Sequence, residues 1–170
     1  PVIDQLKLID HEPLRYARRL GIEANQVQGR AATRARFEFP LFHDLPIDDV
    51  AIAVASHMTN VKLPDVVSDQ DLTNGQLDLA LDGGGMKITG RGSIGPAPAE
   101  FVWQESFVSD VSPSSEISFK GTMDEATRQA FRISWPEVLG GAVGLTGTYL
   151  KDSGQPARLE AALDLTKAEL

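Results

Sequence analysis

The sequence predicts a mainly β protein with two short helices, in which the strands pair antiparallel. Most of the chain alternates apolar and polar residues, and glycine- or proline-rich turns separate the alternating runs. Roughly eight or nine strands at about 4.8 Å spacing make a sheet about 40 Å wide. Two helices of about 15 Å cannot cover one face of it. That face must therefore close on itself as a sandwich or barrel, or stay open as a groove.

Two segments carry helix signals. The first begins at Asp10 as N-cap, has Pro13 in its first turn and ends at Gly21. The second begins after the N-cap Asp124. The residues predicted to face inward in this second helix are Thr127, Ala130 and Phe131.

The remaining segments have the period of half-buried strands. In "RAATRARFEF" the arginines alternate with alanines and phenylalanines, and "QLDLALD" alternates leucine with aspartate. Gly83–Gly85 predicts a hairpin turn after the second of these runs. Clean alternation favours antiparallel pairing with one buried and one solvated face. Loops are predicted at residues 40–46, 64–71, 96–98 and 109–115.

A sequence phrase occurs twice. Ile22–Ala31 and Ile133–Ala142 share Ile, Val, Gly and Ala at the same spacings, and Ala55–Leu63 resembles Ala162–Leu170. The period is roughly 110 residues, which predicts stacked units. We therefore interpret residues 1–170 as a fragment of a larger repeat protein, with a first unit at 10–121 and a truncated second unit at 122–170. Chance similarity between two β-meanders is the alternative.

No feature of the sequence indicates catalysis, so a non-enzymatic function is expected. The net charge of −8 argues against nucleic acid as a partner, and the absence of cysteine excludes thiol chemistry. "GRGSIG" (Gly90–Gly95) is followed by a proline-rich turn rather than a helix, so a bend or bulge is favoured over a nucleotide site. His57 is predicted to be solvated or hydrogen-bonded rather than a metal ligand. No metal and no cofactor are expected.

Several stretches resemble the AsmA-like proteins of Gram-negative bacteria, which are related to TamB, and are most similar to the YhdP-type branch. The segments that carry the resemblance are "GRAATRARFEFPL", "LTNGQLDLALDGGGMKITGRGSI" and "LDLTKAEL". The resemblance implies the periplasmic part of an envelope protein that is anchored in the inner membrane by a segment outside this chain. It also implies that the antiparallel sheet is curved and folded over into an elongated, taco-like apolar groove, which carries phospholipid between the inner and outer membranes.

The resemblance and the alternation together lead to two hypotheses. In the first, the chain is a segment of a lipid-transfer groove, its partners being phospholipid acyl chains and adjacent repeats of the same protein. In the second, it is a closed β-sandwich or repeat module that acts as an envelope scaffold or protein-interaction domain. The residues predicted to line the groove are Ala35, Phe37, Phe39, Ile52, Val54, Leu79, Leu81, Phe101, Trp103, Phe119 and Tyr149.

Overall fold

A computed structural model describes residues 1–2, 26–40, 50–109, 111–133, 140–152 and 154–169. Within these residues the chain forms ten strands and one short helix. The elements in chain order are β1 (Gln28–Glu38), β2 (Ala51–Val67), β3 (Gln70–Leu81), β4 (Gly85–Ile94), β5 (Ala97–Ser106), β6 (Ser115–Met123), α1 (Glu125–Ala130), β7 (Gly140–Gly141), β8 (Val143–Lys151), β9 (Arg158–Asp164) and β10 (Ala168–Glu169). The predicted mainly β class is confirmed, and the predicted first helix lies outside the described residues.

Eight of the strands form one curved antiparallel sheet in the order β1-β2-β3-β4-β5-β6-β8-β9. Each strand pairs with its neighbour in this order, so the sheet is a meander, in which tight turns join β2 to β3, β3 to β4 and β4 to β5. The sheet does not close, because β1 and β9 stand at opposite ends of the order. The two short strands β7 and β10 pair separately.

Register places most of the apolar residues of the eight strands on one side of the sheet, although Val102 and Leu150 lie on the other. Residues that are directly opposite each other in neighbouring strands share a face. This apolar face consists of the odd-numbered residues of β1, β5, β6, β8 and β9, the even-numbered residues of β4, and parts of β2 and β3. The other side, the polar face, carries the arginines of β1 and most other charged residues.

Two bulges keep β2 and β3 in phase with the apolar face. In β2 the buried side chains are even-numbered up to Met58, and then Val61 is buried. In β3, Leu72 is buried before the odd-numbered run that starts at Gly75. The register shifts at these points, where Asn60 and Asn74 both have φ 52°. Asparagine tolerates this left-handed conformation better than other side chains with a Cβ, so each bulge restores the alternation after one extra residue.

The predicted loop at residues 64–71 is wrong, because β2 and β3 continue through most of it. Val67 pairs with Gln70, and the connection is a two-residue turn in which Ser68 and Asp69 both have positive φ. Positive φ at both central positions is typical of the type I′ hairpin turn. The loop was predicted because proline normally interrupts a strand, and Pro64 begins this segment. Here it lies in an irregular stretch of the β2–β3 pairing, where the ladder skips residues.

Helix α1 follows β6 and confirms the predicted cap. The Asp124 carboxylate accepts a hydrogen bond from the Thr127 backbone N–H at 2.8 Å. Thr127 is buried, as predicted, while Ala130 and Phe131 are half-buried. The sequence did not predict that Arg128 is also buried, where its guanidinium donates to the carbonyl of Met123 at 3.3 Å and to that of Gly141 at 3.0 Å.

We expect the contribution of this cap to stability to depend on pH. The hydrogen bond from the Thr127 backbone lowers the pKa of Asp124 below its ordinary value of 3.8. The cap therefore stabilises the fold fully above pH 3.8 and loses its effect as the pH falls through the lowered folded-state pKa. Urea unfolding of the wild type and of Asp124→Ala should differ at pH 7 and converge under strong acid. A difference that is unchanged in acid would contradict this account of the cap.

The second occurrence of the repeated phrase leads into a hairpin resembling the first. In the first hairpin, the pairs Gln28–Lys62 and Arg30–Thr59 enclose one more residue on β2 than on β1. In the second, the pairs Gly141–Ala168 and Gly144–Asp164 likewise enclose one more residue on the later strand. The same irregularity thus occurs in both places, and division of the chain into two units stays a prediction.

Candidate binding face

The apolar face brings together the predicted groove residues. Every one of them that lies in a strand is on this face, although they come from six different strands. Phe39 lies just after the end of β1 and is exposed. Cross-strand partners form rows, such as the one that joins Leu79, Ile88, Trp103 and Ile117. The alternation in the sequence was sufficient to find these residues, because each strand obeys it locally.

Burial on the apolar face is uneven. A hydrophobic core lies over β2, β3 and β4 and includes Met58, Val61, Leu72, Leu77, Leu81, Met86 and Ile88, with Val2 and Val27. On β5, β6 and β8 the predicted groove residues are half-buried. The two ends of the sheet are open: the predicted groove residue Phe37 of β1 is 54% exposed, and Leu159 of β9, which was not predicted to line the groove, is 62% exposed. Met123 of β6 and Val143 of β8, which lie opposite each other on the same face, are also buried. The face is therefore core in these two places and accessible surface on the rest.

Glycines allow aromatic rings to lie flat on the apolar face. Phe119 of β6 is opposite Gly147 of β8, and Phe101 of β5 is opposite Gly90 of β4. A Cβ added at Gly147 would meet the Phe119 ring and would lie 2.8 Å from the carbonyl oxygen of Glu160. Glycine at these positions therefore makes room for the ring of the neighbouring strand, an arrangement known from cross-strand aromatic–glycine pairs.

Several polar groups on the apolar face are hydrogen-bonded to one another. The hydroxyls of Thr33 and Ser56 lie 2.6 Å apart. The indole N–H of Trp103 lies 3.1 Å from a carboxylate oxygen of Glu105 and 3.3 Å from the Ser115 hydroxyl. Covering a polar group with an apolar molecule removes the group from water. This costs less free energy for these groups than for unpaired ones, because their hydrogen bonds within the protein remain. Trp103, which was predicted to line the groove, is half-buried and packs against the core.

The polar face is a solvated network of charges. His57 confirms its predicted role as a hydrogen-bonded residue, since its Nδ1 lies 2.7 Å from an Asp78 carboxylate oxygen. The Arg91 guanidinium donates to the side-chain oxygen of Gln76 at 2.8 and 3.1 Å. Lys120 and Glu100 form an ion pair at 3.0 Å, and both side chains are more than half exposed. Exposed pairs of this kind contribute little stability, and their charges stay solvated on this side of the sheet.

Two shallow depressions lie mainly on the polar face rather than on the predicted groove. The larger, of about 710 Å³, lies between Arg34 of β1, Lys87 of β4 and the loop that carries Pro113. The smaller, of about 530 Å³, includes His57, Asp78 and Lys120. Both are open to solvent, and their linings mix acidic and basic side chains. The candidate groove therefore rests on the open apolar surface and not on an enclosed cavity.

The "GRGSIG" motif does not have the strand–turn–helix context of a dinucleotide site. Most of "GRGSIG" lies in β4, and Gly95 makes the turn into β5 with φ 56°, so no helix follows this motif. In the part of the chain that the structure describes, no three His, Asp or Glu side chains are grouped so that they could hold a metal ion. Within the same residues, no helix has the length and apolarity needed to cross a bilayer.

Sequence reasoning missed several residues of the apolar face. Val61, Leu63 and Leu72 belong to it only because of the bulges at Asn60 and Asn74. The two asparagines within otherwise alternating runs were the signal that could have indicated this. Comparison of the chain with models of protein families, with curated proteins and with solved structures finds no match.

Proposed function

We propose that this chain is a segment of a lipid-transfer groove in the bacterial periplasm, in which the apolar face holds phospholipid acyl chains. The observation that carries the proposal is the open sheet of eight strands, on which most of the large apolar side chains share one face. A large exposed apolar surface normally marks a binding site. The resemblance to AsmA-like envelope proteins supports lipid as the ligand and the periplasm as the location.

The dimensions of the face suit acyl chains. Seven gaps of about 4.8 Å separate the eight strands, so the face extends over about 34 Å across the sheet. Along β5 it extends from Ala97 to Trp103, about 20 Å at the rise of a strand. One leaflet of a bilayer is about 15 Å of hydrocarbon. An acyl chain could therefore lie along a strand or cross several of them.

Binding would be hydrophobic and distributed over many residues. Each buried methylene contributes about 0.8 kcal/mol, so contact along a continuous strip matters more than any single side chain. The accessible part of this strip runs over β5, β6 and β8, where Phe101, Phe119 and Tyr149 are half-buried. Movement along the strip would require no chemistry from the protein, which agrees with the expected non-enzymatic function.

Photo-crosslinking with matched probes tests the proposal. The photoreactive residue p-benzoylphenylalanine replaces Tyr149 on the apolar face or, as control, Leu150 on the polar face. These neighbours lie on the same strand and are both half-buried, so they differ mainly in the side of the sheet that they face. After illumination with vesicles of phosphatidylethanolamine and phosphatidylglycerol, mass spectrometry should find lipid adducts at position 149 and few at position 150.

Two results would overturn the proposal. Equal adducts at both positions would indicate nonspecific contact with vesicles, and no adduct at position 149 in a variant with the wild-type circular dichroism spectrum would exclude lipid on this face. The alternative, a scaffold or interaction module, was expected to be a closed sandwich. The open sheet does not have that form, but its two free edges are compatible with recruitment of another strand.

A further inference from the structure

We propose that the chain associates head to tail, with the free edge of β9 in one copy pairing antiparallel to the free edge of β1 in a second copy. The proposal does not depend on lipid binding. It follows from three properties of the sheet: the exposure of its two edges, their complementary charges, and the number of its strands.

The edge at β9 is unprotected. All seven residues of this strand are exposed, and β8 is its one neighbour in the sheet order. Leu159 and Leu163, which lie on the apolar face, are 62% and 46% exposed. A free edge presents unpaired backbone N–H and C=O groups to any strand that can reach it. Proline is absent from the strand, so nothing in its sequence blocks pairing.

The edge at β1 is unprotected in its second half. Residues Arg34–Glu38 are all exposed, and β1 stands at the other end of the sheet order. Phe37 extends from the apolar face, and Arg34 and Arg36 lie on the polar face. Isolated proteins protect such an edge with charged side chains, especially lysine, with proline or with an inward-pointing charge. This half of β1 carries Arg34, Arg36 and Glu38 on the polar face, but it has no lysine, no proline and no charge on the apolar face.

The geometry of the sheet permits a second copy to continue it. Neighbouring strands are antiparallel throughout, and the sheet contains eight strands, an even number. In a second copy displaced sideways, β1 therefore runs opposite to β9. The alternation of hydrogen-bonded and non-hydrogen-bonded pairs also continues across the junction. The apolar faces of the two copies then form one surface.

One register pairs the side chains without placing like charges opposite each other. It sets Leu159 opposite Phe37, Glu160 opposite Arg36 and Arg158 opposite Glu38. Each pair consists of residues on the same face of their own sheets. Within one copy, Arg36 and Glu38 already form an ion pair, as do Arg158 and Glu160 at 3.9 Å. Across the junction the four charges would form a square of alternating sign, and cross-strand pairs of opposite charge are stabilising.

Charge reversal tests the junction in the full chain. Sedimentation velocity of the wild type should show a mass that grows with concentration beyond the dimer, because a head-to-tail dimer keeps one free β1 edge and one free β9 edge for further copies. Arg36→Glu or Glu160→Arg alone should weaken association about tenfold, since each replaces an attraction with a repulsion. An equimolar mixture of these two variants should associate again, because each edge then meets an opposite charge.

The control variant is Glu100→Arg, which reverses an exposed charge in the middle of the polar face and should leave the association unchanged. A wild type that stays monomeric at all concentrations overturns the proposal. Association that stops at a dimer and is insensitive to Arg36→Glu also overturns it, and would indicate a two-fold pairing of β9 with β9 instead. Lipid binding is tested by crosslinking at position 149 and association is tested by sedimentation, so either proposal can fail without the other.

Discussion

Replacing Leu77 with alanine should lower the free energy of unfolding by about 3 kcal/mol, within the range found for buried leucines. Leu77 is 7% exposed and belongs to the core over β2, β3 and β4. It pairs with Met58 on one side and with Gly90 on the other. The strands cannot close over the lost volume without shifting their ladder, so much of the cavity should remain. Urea unfolding followed by tryptophan fluorescence would measure the loss.

Leu159→Ala is the matched control for this prediction. Leu159 has the same side chain and lies on the same face, but it is 62% exposed. Its replacement should change the free energy of unfolding by less than about 0.5 kcal/mol. Equal losses for the two variants would show that β9 is covered and would contradict an open apolar face.

Replacing Gly147 with alanine should destabilise the protein by about 1–3 kcal/mol, the usual cost of overpacking. The new Cβ would meet the ring of Phe119 and would lie 2.8 Å from the carbonyl oxygen of Glu160. The ring could rotate away, but the carbonyl belongs to the neighbouring strand β9 and can move only if the β8–β9 ladder shifts. We therefore expect the loss to be accompanied by weaker hydrogen-exchange protection in β9.

Gly83→Ala provides the comparison for this glycine. Gly83 lies in the turn between β3 and β4, and a Cβ there would have no heavy atom within 4 Å. Asp82 stabilises this same turn. Its carboxylate accepts hydrogen bonds from the backbone N–H of Gly84 at 2.8 Å and of Gly85 at 3.1 Å. Gly83→Ala should be neutral within about 0.5 kcal/mol. If it cost as much as Gly147→Ala, the loss would reflect glycine flexibility rather than crowding.

Much of the candidate face could be predicted from the sequence, because the alternation of apolar and polar residues within a strand shows which residues share a face. The alternation around Val54, Leu79 and Tyr149 was visible within a few residues, and the register later placed these residues on one face. The cap at Asp124 and the turn at Gly83–Gly85 were also visible, because their hydrogen bonds join residues that are close in the chain.

The bulges and the loop at residues 64–71 could not be predicted in the same way. Whether Asn60 continues a strand or adds a residue to it depends on what β3 places opposite, and a strand's sequence does not contain its partner. Likewise Pro64 breaks a regular ladder but is tolerated where the pairing is already irregular. The positions of the bulges and the ends of β2 and β3 depend on how the strands pair, which is a property of the assembled sheet.

The sequence by itself determined the fold class, the two faces of most strands and the absence of cysteine chemistry, since these depend on composition and on neighbours along the chain. Only the tertiary structure decided that the sheet stays open, that its core lies over β2, β3 and β4, and that the exposed edges carry Phe37 and Leu159. The physical reason is that burial and edge exposure depend on which strands meet. Leu77 and Leu159 have the same side chain in similar alternating runs, and only packing makes one core and the other surface.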